Sequence, residues 1–338
     1  MSEPNLPLPP NALTAAVASN GPVVPMTFGQ ILDRIFRLMR SHWKPFMGIG
    51  ILPIGVIFAF EAVFFGAMFL AGAFRQPPAP PNLAMLWPIL PLGLLFLPVM
   101  LLVYGLYYGA SAYASVHADF ELPFTVREAL GHAWSRIGRY VWLMVLKGLI
   151  LAIPILVCVA AALGGALLFG LVPNGNPSPA ALFFLVPLAV LLYLGGIVYA
   201  VIMTMRLSLA YPASAHENLT AMQAVKRSGV LTQGAKGRIF LMLLVIYAIG
   251  YAVAMVFYVI GLFVVAIGAV AGASLFHAWT PLTITLAALA GLVFIALVFA
   301  WALLLMAAYN VTFAVFYRDQ RLRKDKLPSA PTNAGALA

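Results

Sequence analysis

Leu241-Met-Leu-Leu-Val-Ile246 decides the fold class. Six apolar side chains in succession exclude the alternating polarity that a membrane β-strand of about ten residues requires. The run lies within a longer apolar stretch, about 239–273, and a helix needs roughly 20 apolar residues to cross the hydrocarbon. Five further stretches qualify, at about 45–73, 85–117, 141–171, 180–210 and 283–316. The spacing predicts an all-α integral membrane protein with six transmembrane helices.

Composition agrees. Of 338 residues, 64% are hydrophobic and 8% charged, against about 45–50% and 25% in a soluble domain. Polar groups this scarce cannot cover a soluble surface. Prolines at 53, 98, 154 and 187 fall inside the stretches. Membrane helices tolerate them because neighbouring helices satisfy the freed carbonyls.

The basic residues give the orientation. Arg34, Arg37, Arg40 and Lys44 precede the first stretch, and Arg127, Arg136, Arg139 and Lys147 gather around the start of the third. Arg206, Lys226, Arg227, Lys236 and Arg238 flank the fourth connection, while Arg318, Arg321, Arg323, Lys324 and Lys326 follow the last stretch. Together these are 18 of the 19 basic residues, and only Arg75 falls on the other side. The expectation is a bacterial inner-membrane protein with both termini in the cytoplasm. The net charge of +10 points to anionic lipid headgroups, worth about 1 kcal/mol per residue near the surface. It does not point to nucleic acid, because the charges sit beside spans. Arg34, Arg37, Arg40, Arg136, Arg139, Lys226, Arg227, Arg321 and Arg323 are the expected headgroup contacts; membrane-protein partners stay unspecified.

Residues 1–26, rich in Pro, Ala and Asn, read as a disordered cytoplasmic tail, residues 27–317 as the six-span domain and 318–338 as a basic tail. Cys158 is the only cysteine, so neither an internal disulfide nor a thiolate metal cluster is available. The outer connections Gln76-Pro-Pro-Ala-Pro-Pro81 and Pro173-Asn-Gly-Asn-Pro-Ser-Pro179 read as turns. Trp87 and Trp279 are expected at the outer interface, Trp43 and Trp142 at the inner one.

A three-fold repetition runs through the chain. Thr27-Phe-Gly-Gln30, Thr125-Val-Arg-Glu128 and Thr220-Ala-Met-Gln223 are capping boxes, in which the threonine hydroxyl and the Gln or Glu side chain satisfy free amides of a first helical turn. In the first copy Phe28, Ile31, Leu32, Ile35, Phe36, Met39 and Trp43 form an apolar stripe opposite Arg34, Arg37 and Arg40. A helix with a greasy stripe and a basic face lies in the membrane interface. The expectation is three parallel units, each an in-plane elbow helix feeding a hairpin of crossing helices, at about 27–117, 125–210 and 220–316.

Three segments resemble the glycerophosphodiester phosphodiesterase membrane domain family and its bacterial polytopic relatives. Thr27-Phe-Gly-Gln-Ile-Leu-Asp-Arg-Ile-Phe-Arg37 is similar to that family's opening helix. Pro212-Ala-Ser-Ala-His-Glu217, with Ala224-Val-Lys-Arg-Ser228 and Leu231-Thr232, is similar to its Pro…Glu…Ala-x-x-x-Ser…Leu pattern. Tyr317-Arg-Asp319, with Arg321 and Arg323, is similar to its closing Tyr-x-Asp-x-Arg-x-Arg. The resemblance implies a membrane module from about residue 27 to 325; the phosphodiesterase domain attached to some members has no counterpart here.

Catalytic constellations are thin. His216-Glu217 is an adjacent pair whose side chains do not face one partner on a helix, and His117, Asp119 and Glu121 make an incomplete ligand set. No cofactor is implied. Glu61, near the middle of the first span, is the candidate functional acid, because carboxylates are costly at that depth; otherwise it faces the bundle and hydrogen-bonds a neighbouring helix. The expected function is a non-catalytic membrane module, whether scaffold, lipid-binding or assembly factor. An uncoupled transporter for a lipid or small apolar molecule comes second, and a membrane-embedded lipid-headgroup enzyme third.

Overall fold

A computed structural model describes residues 25–70, 90–168, 179–275 and 281–325. Most of both expected tails, Arg75, nearly all of the two outer connections, Trp87 and Trp279 lie outside the described residues. The elements are α1 (Phe28–Leu70), α2 (Leu90–Asp119), α3 (Val126–Trp134), α4 (Ile137–Leu168), α5 (Pro179–Leu207), α6 (Ala210–His216), α7 (Ala221–Thr232), α8 (Lys236–Leu275) and α9 (Pro281–Lys324). Among the described residues there is no strand. Six helices are long and apolar enough to cross a membrane: α1, α2, α4, α5 with the short α6, α8 and α9.

All three threonine boxes close. The Thr27 amide donates to Gln30 Oε1 and the Gln30 amide to Thr27 Oγ1. Thr125 and Glu128 repeat the exchange at 3.0 and 3.2 Å. In the third box Gln223 Oε1 accepts from both the amide and the hydroxyl of Thr220. Each box opens a short helical segment that then breaks. α3 ends at Trp134, capped by Ser135, and α7 at Thr232, capped by Gln233. In α1 the break is His42, whose backbone leaves helical geometry. Pro45 explains it: its ring lacks an N–H and presses on the carbonyl of residue 41, four positions back.

Burial concentrates at one end of the bundle. The buried cluster draws Ile31, Ile35 and Leu38 from α1, Tyr107 and Ala110 from α2, Leu143 from α4, Met242 from α8 and Val311 and Phe316 from α9. All lie in the half of the bundle that carries the short helices, called here the elbow end. The first stripe therefore packs mainly on protein, leaving Phe36 and Trp43 exposed. Farther along, Leu95, Ile155, Leu191, Phe263 and Leu292 are exposed, an apolar area too large for water to bathe. At the elbow end α2 and α4 touch through glycine: a Cβ on Gly109 would come within 2.5 Å of the Tyr140 ring.

Both ends of the described chain return to the elbow end. The Met26 amide donates to Asp319 Oδ1. Met26, read as tail, is thus hydrogen-bonded, and the tail expected from residue 318 begins as a continuation of α9 to Lys324. Ion pairing of Asp319 with Arg238 and Arg323 holds that extra turn in place.

Candidate functional site

A cavity of about 870 Å³ lies in the elbow half of the bundle, walled by α2, α4, α5, α6, α8 and α9. Leu151, Val201, Leu244 and Met306 give it an apolar lining. Five tyrosines add rings: Tyr108 stacks on Tyr211 at 5.0 Å and meets Tyr107 edge-on at 5.2 Å, and Tyr247 meets Tyr309 edge-on at 4.7 Å. Asn310 Nδ2 donates to the Tyr107 hydroxyl and to the Met306 carbonyl, both at 3.0 Å. Among the described residues the buried Tyr211 hydroxyl has no hydrogen-bond partner.

Among the described residues Lys147 is the one charged side chain lining this cavity. It stands ten residues into α4, about 15 Å along at ~1.5 Å per residue. Its ammonium lies 4.8 Å from the centroid of the Tyr211 ring, within cation–π range. Among the described residues it makes no ion pair, and no carboxylate lines the cavity. Reading Lys147 only as a topology charge missed this. The available signal was its position, between Leu146 and Gly148 in an otherwise uncharged span.

Below the cavity a collar of ion pairs closes the elbow end. Asp119, at the end of α2, accepts from Arg34 through its carboxylate and its carbonyl. Arg318 donates to the same carbonyl at 2.8 Å. Glu217, just after α6, accepts from Arg227 Nε at 3.0–3.1 Å and from the Tyr317 hydroxyl at 2.6 Å. Asp319, in α9, accepts from Arg323 and lies 3.5 Å from Arg238, whose Nη2 also donates to the Met26 carbonyl. Each crossing pair thus ends in an acid bound to an arginine from α1, α7, α8 or α9. Arg227 also reaches Asp325 at 2.6 Å. That bond first, opposed by desolvation and helped by Glu217, raises its pKa and holds the charge.

Local backbone chemistry places these acids. After Asp119 the chain turns through Glu121 in the left-handed region, with the Leu122 amide bonded to the His117 carbonyl and the Glu121 amide to Ala118. This is the double bond of a Schellman end. After His216 the left-handed residue is Asn218, whose side chain accepts from Arg139 at 2.8 Å. Ser228 secures the break between α5 and α6: its hydroxyl donates to the Arg206 carbonyl and accepts from the Leu209 amide.

Arg34, Arg227, Arg321 and Arg323, expected at headgroups, each form an ion pair within the chain. Buried carboxylates at the same end demand counter-charges, and an unpaired one costs several kcal/mol. Arg321 pairs with Asp325 and lies 2.6 Å from His216 Nε2. Arg136 contacts His132, and Arg139 contacts Asn218. Arg37, Arg40 and Lys226 are exposed and carry no ion pair among the described residues. Glu61 also departs from expectation. It is exposed, with no hydrogen bond among the described residues, while Phe60 turns to Phe96 of α2 at 4.2 Å.

The catalytic candidates are committed elsewhere. Glu217 is saturated by Arg227 and Tyr317, and His216 stacks on Phe120 at 5.1 Å. Outside those candidates, His132 of α3 lies against Tyr113 with Arg136 at 2.7 Å. Desolvation, then Arg136, His117 and Arg139, lowers its pKa to about 4. Among the described residues no three His, Cys, Asp or Glu side chains group as metal ligands. Compared with family models, curated proteins and solved structures, the chain matches none.

Proposed function

We propose that the chain is a non-catalytic lipid-binding module of the membrane, built from three elbow-plus-hairpin units with the elbow end in the cytoplasm. One observation carries this reading: among the described residues, the cavity shared by helices of all three hairpins has largely apolar walls, a single cation and no carboxylate. General acid–base chemistry needs a positioned proton acceptor, and the collar carboxylates Asp119, Glu217 and Asp319 are occupied by arginines. Ion-coupled carriers place acids near the substrate path, and here the mid-span acid is exposed on α1. The three units are supported by the threonine boxes, by the breaks that follow them and by the acid at each hairpin's exit. The segments similar to the phosphodiesterase membrane domain family meet in that collar, through Glu217–Tyr317 and through the Asp119 carbonyl that Arg34 and Arg318 share.

The test is mass spectrometry of what co-purifies from native membranes, comparing the wild type with Gly148→Phe. Gly148 lines the cavity and has nothing within 4 Å of its Cβ position, so the ring fills the space. Stoichiometric lipid lost in the variant supports the reading. Equal lipid in both proteins counts against it. Movement of labelled lipid between leaflets of reconstituted vesicles, abolished by Gly148→Phe, would favour the uncoupled carrier instead.

A further inference from the structure

A lysine deep in an apolar span has two favourable arrangements. It extends back to the headgroups, or it meets an anion or π-face inside the protein. Lys147 takes the second arrangement in part. Its ammonium approaches the Tyr211 ring at 4.8 Å, yet no acid lines the cavity to neutralise it. The hydroxyl of that same tyrosine is buried and lacks a hydrogen-bond partner among the described residues. An unmatched cation and an orphan hydroxyl on one wall of an apolar cavity form half of a recognition site. Its complement is an anionic head that accepts hydrogen bonds and carries an apolar tail.

We infer that the cavity binds an anionic amphipath, a carboxylate or phosphate monoester bearing one alkyl chain, with its head at Lys147 and Tyr211. The assignment rests on the lipid-binding reading and narrows it to a charge class. The tail lies along Leu151, Val201 and Leu244, which belong to three different helices. At about 870 Å³ the cavity is at the upper end of the ~300–1,000 Å³ usual for small-molecule sites, which suits one chain-bearing molecule. Neutral lipids of equal length satisfy the walls but leave the ammonium unpaired. Thr204 and Asn310 line the same space and offer further polar groups to the head.

The experiment measures binding of four probes to delipidated full-length protein in a neutral detergent: oleate, oleoyl lysophosphatidate, oleyl alcohol and inorganic phosphate. The expected result is saturable binding of oleate and lysophosphatidate. In Lys147→Met both weaken about tenfold or more, the scale of one charge-assisted hydrogen bond, while oleyl alcohol binding is unchanged. Lys147→Arg retains binding and guards against misfolding of the neutral variant; Tyr211→Phe weakens the anions alone. Oleate binding equally well to Lys147→Met overturns the anion assignment while leaving a lipid site. Failure of every alkyl probe on wild type overturns the lipid-binding reading itself. Inorganic phosphate binding as tightly as lysophosphatidate removes the tail from the assignment.

Discussion

The backbone amide of Met26 donates to Asp319 Oδ1 at 2.9 Å across 293 residues of sequence. Asp319 is fully buried and also serves Arg323 at 2.9 Å, Arg238 at 3.5 Å and the Gln320 amide at 3.1 Å. One carboxylate therefore ties the start of α1, the start of α8 and the end of α9 together. Removing it in Asp319→Ala strands two guanidinium groups and an N–H, at a cost of about 3 kcal/mol. Asp319→Asn should lose less, because its amide oxygen still accepts from Met26. The partly exposed Asp325 is the comparison, with Asp325→Ala expected within about 1 kcal/mol. Thermal unfolding in detergent reads all three, and equal losses for the two alanine variants would contradict the hub role of Asp319.

Local signals carried far in this chain, and non-local ones did not. The threonine boxes at 27, 125 and 220 were legible because a capping box is complete within four residues. The spans were legible from length and apolarity alone. By contrast, α4, α5 and α8 are apolar nearly all round, so no periodicity says which face meets a neighbour. That hid the cavity and the rings that surround Lys147. The pairing of Arg34 with Asp119 joins residues 85 apart. Nothing local distinguishes such an arginine from one that meets a headgroup.

Topology is tested by fusion. Six crossings, with residues 26 and 319 in contact, require reporters near 120, 230 and 335 to share one side. Reporters near 176 and 279 should read the opposite side, and the positive-inside rule predicts a cytoplasmic signal from the first group. A fusion at 335 that reads the outer face leaves an odd number of crossings and ends the six-span reading.

Acid should weaken the second elbow through His132. Its folded pKa is lowered from 6.5 to about 4, chiefly by desolvation and then by Arg136. Between those values the unfolded chain binds a proton that the folded imidazole refuses. Stability from this group is therefore complete above pH 6.5, falls on acidification through that window and levels off below about 4. The slope stays under the single-proton limit of about 1.4 kcal/mol per pH unit, reduced further because the ring is only part-buried. His132→Gln should unfold with a shallower pH dependence than wild type across pH 6.5 to 4. Parallel profiles for the two proteins would show that His132 does not titrate on unfolding.

Glu61 now carries a different expectation from the one its position alone suggested. Phe60 packs on Phe96 of α2 and Phe58 on Phe299 of α9, so both neighbours of α1 are met by residues other than Glu61. The carboxyl group is exposed without a hydrogen bond among the described residues, and Glu61→Leu has no interhelical bond of about 0.6–2 kcal/mol to remove. A charged side chain at the centre of a span costs about 2.5–3.5 kcal/mol on insertion scales, where leucine is favourable. Glu61→Leu should thus keep or raise the unfolding temperature in detergent and insert at least as well as wild type. Glu61→Gln should fall between the two. A loss above about 1 kcal/mol in Glu61→Leu would mean that the carboxyl group is bonded within the folded chain. A more stable Leu variant that loses a cellular phenotype or a co-purifying protein would instead mark this face of α1 as a contact for a partner helix.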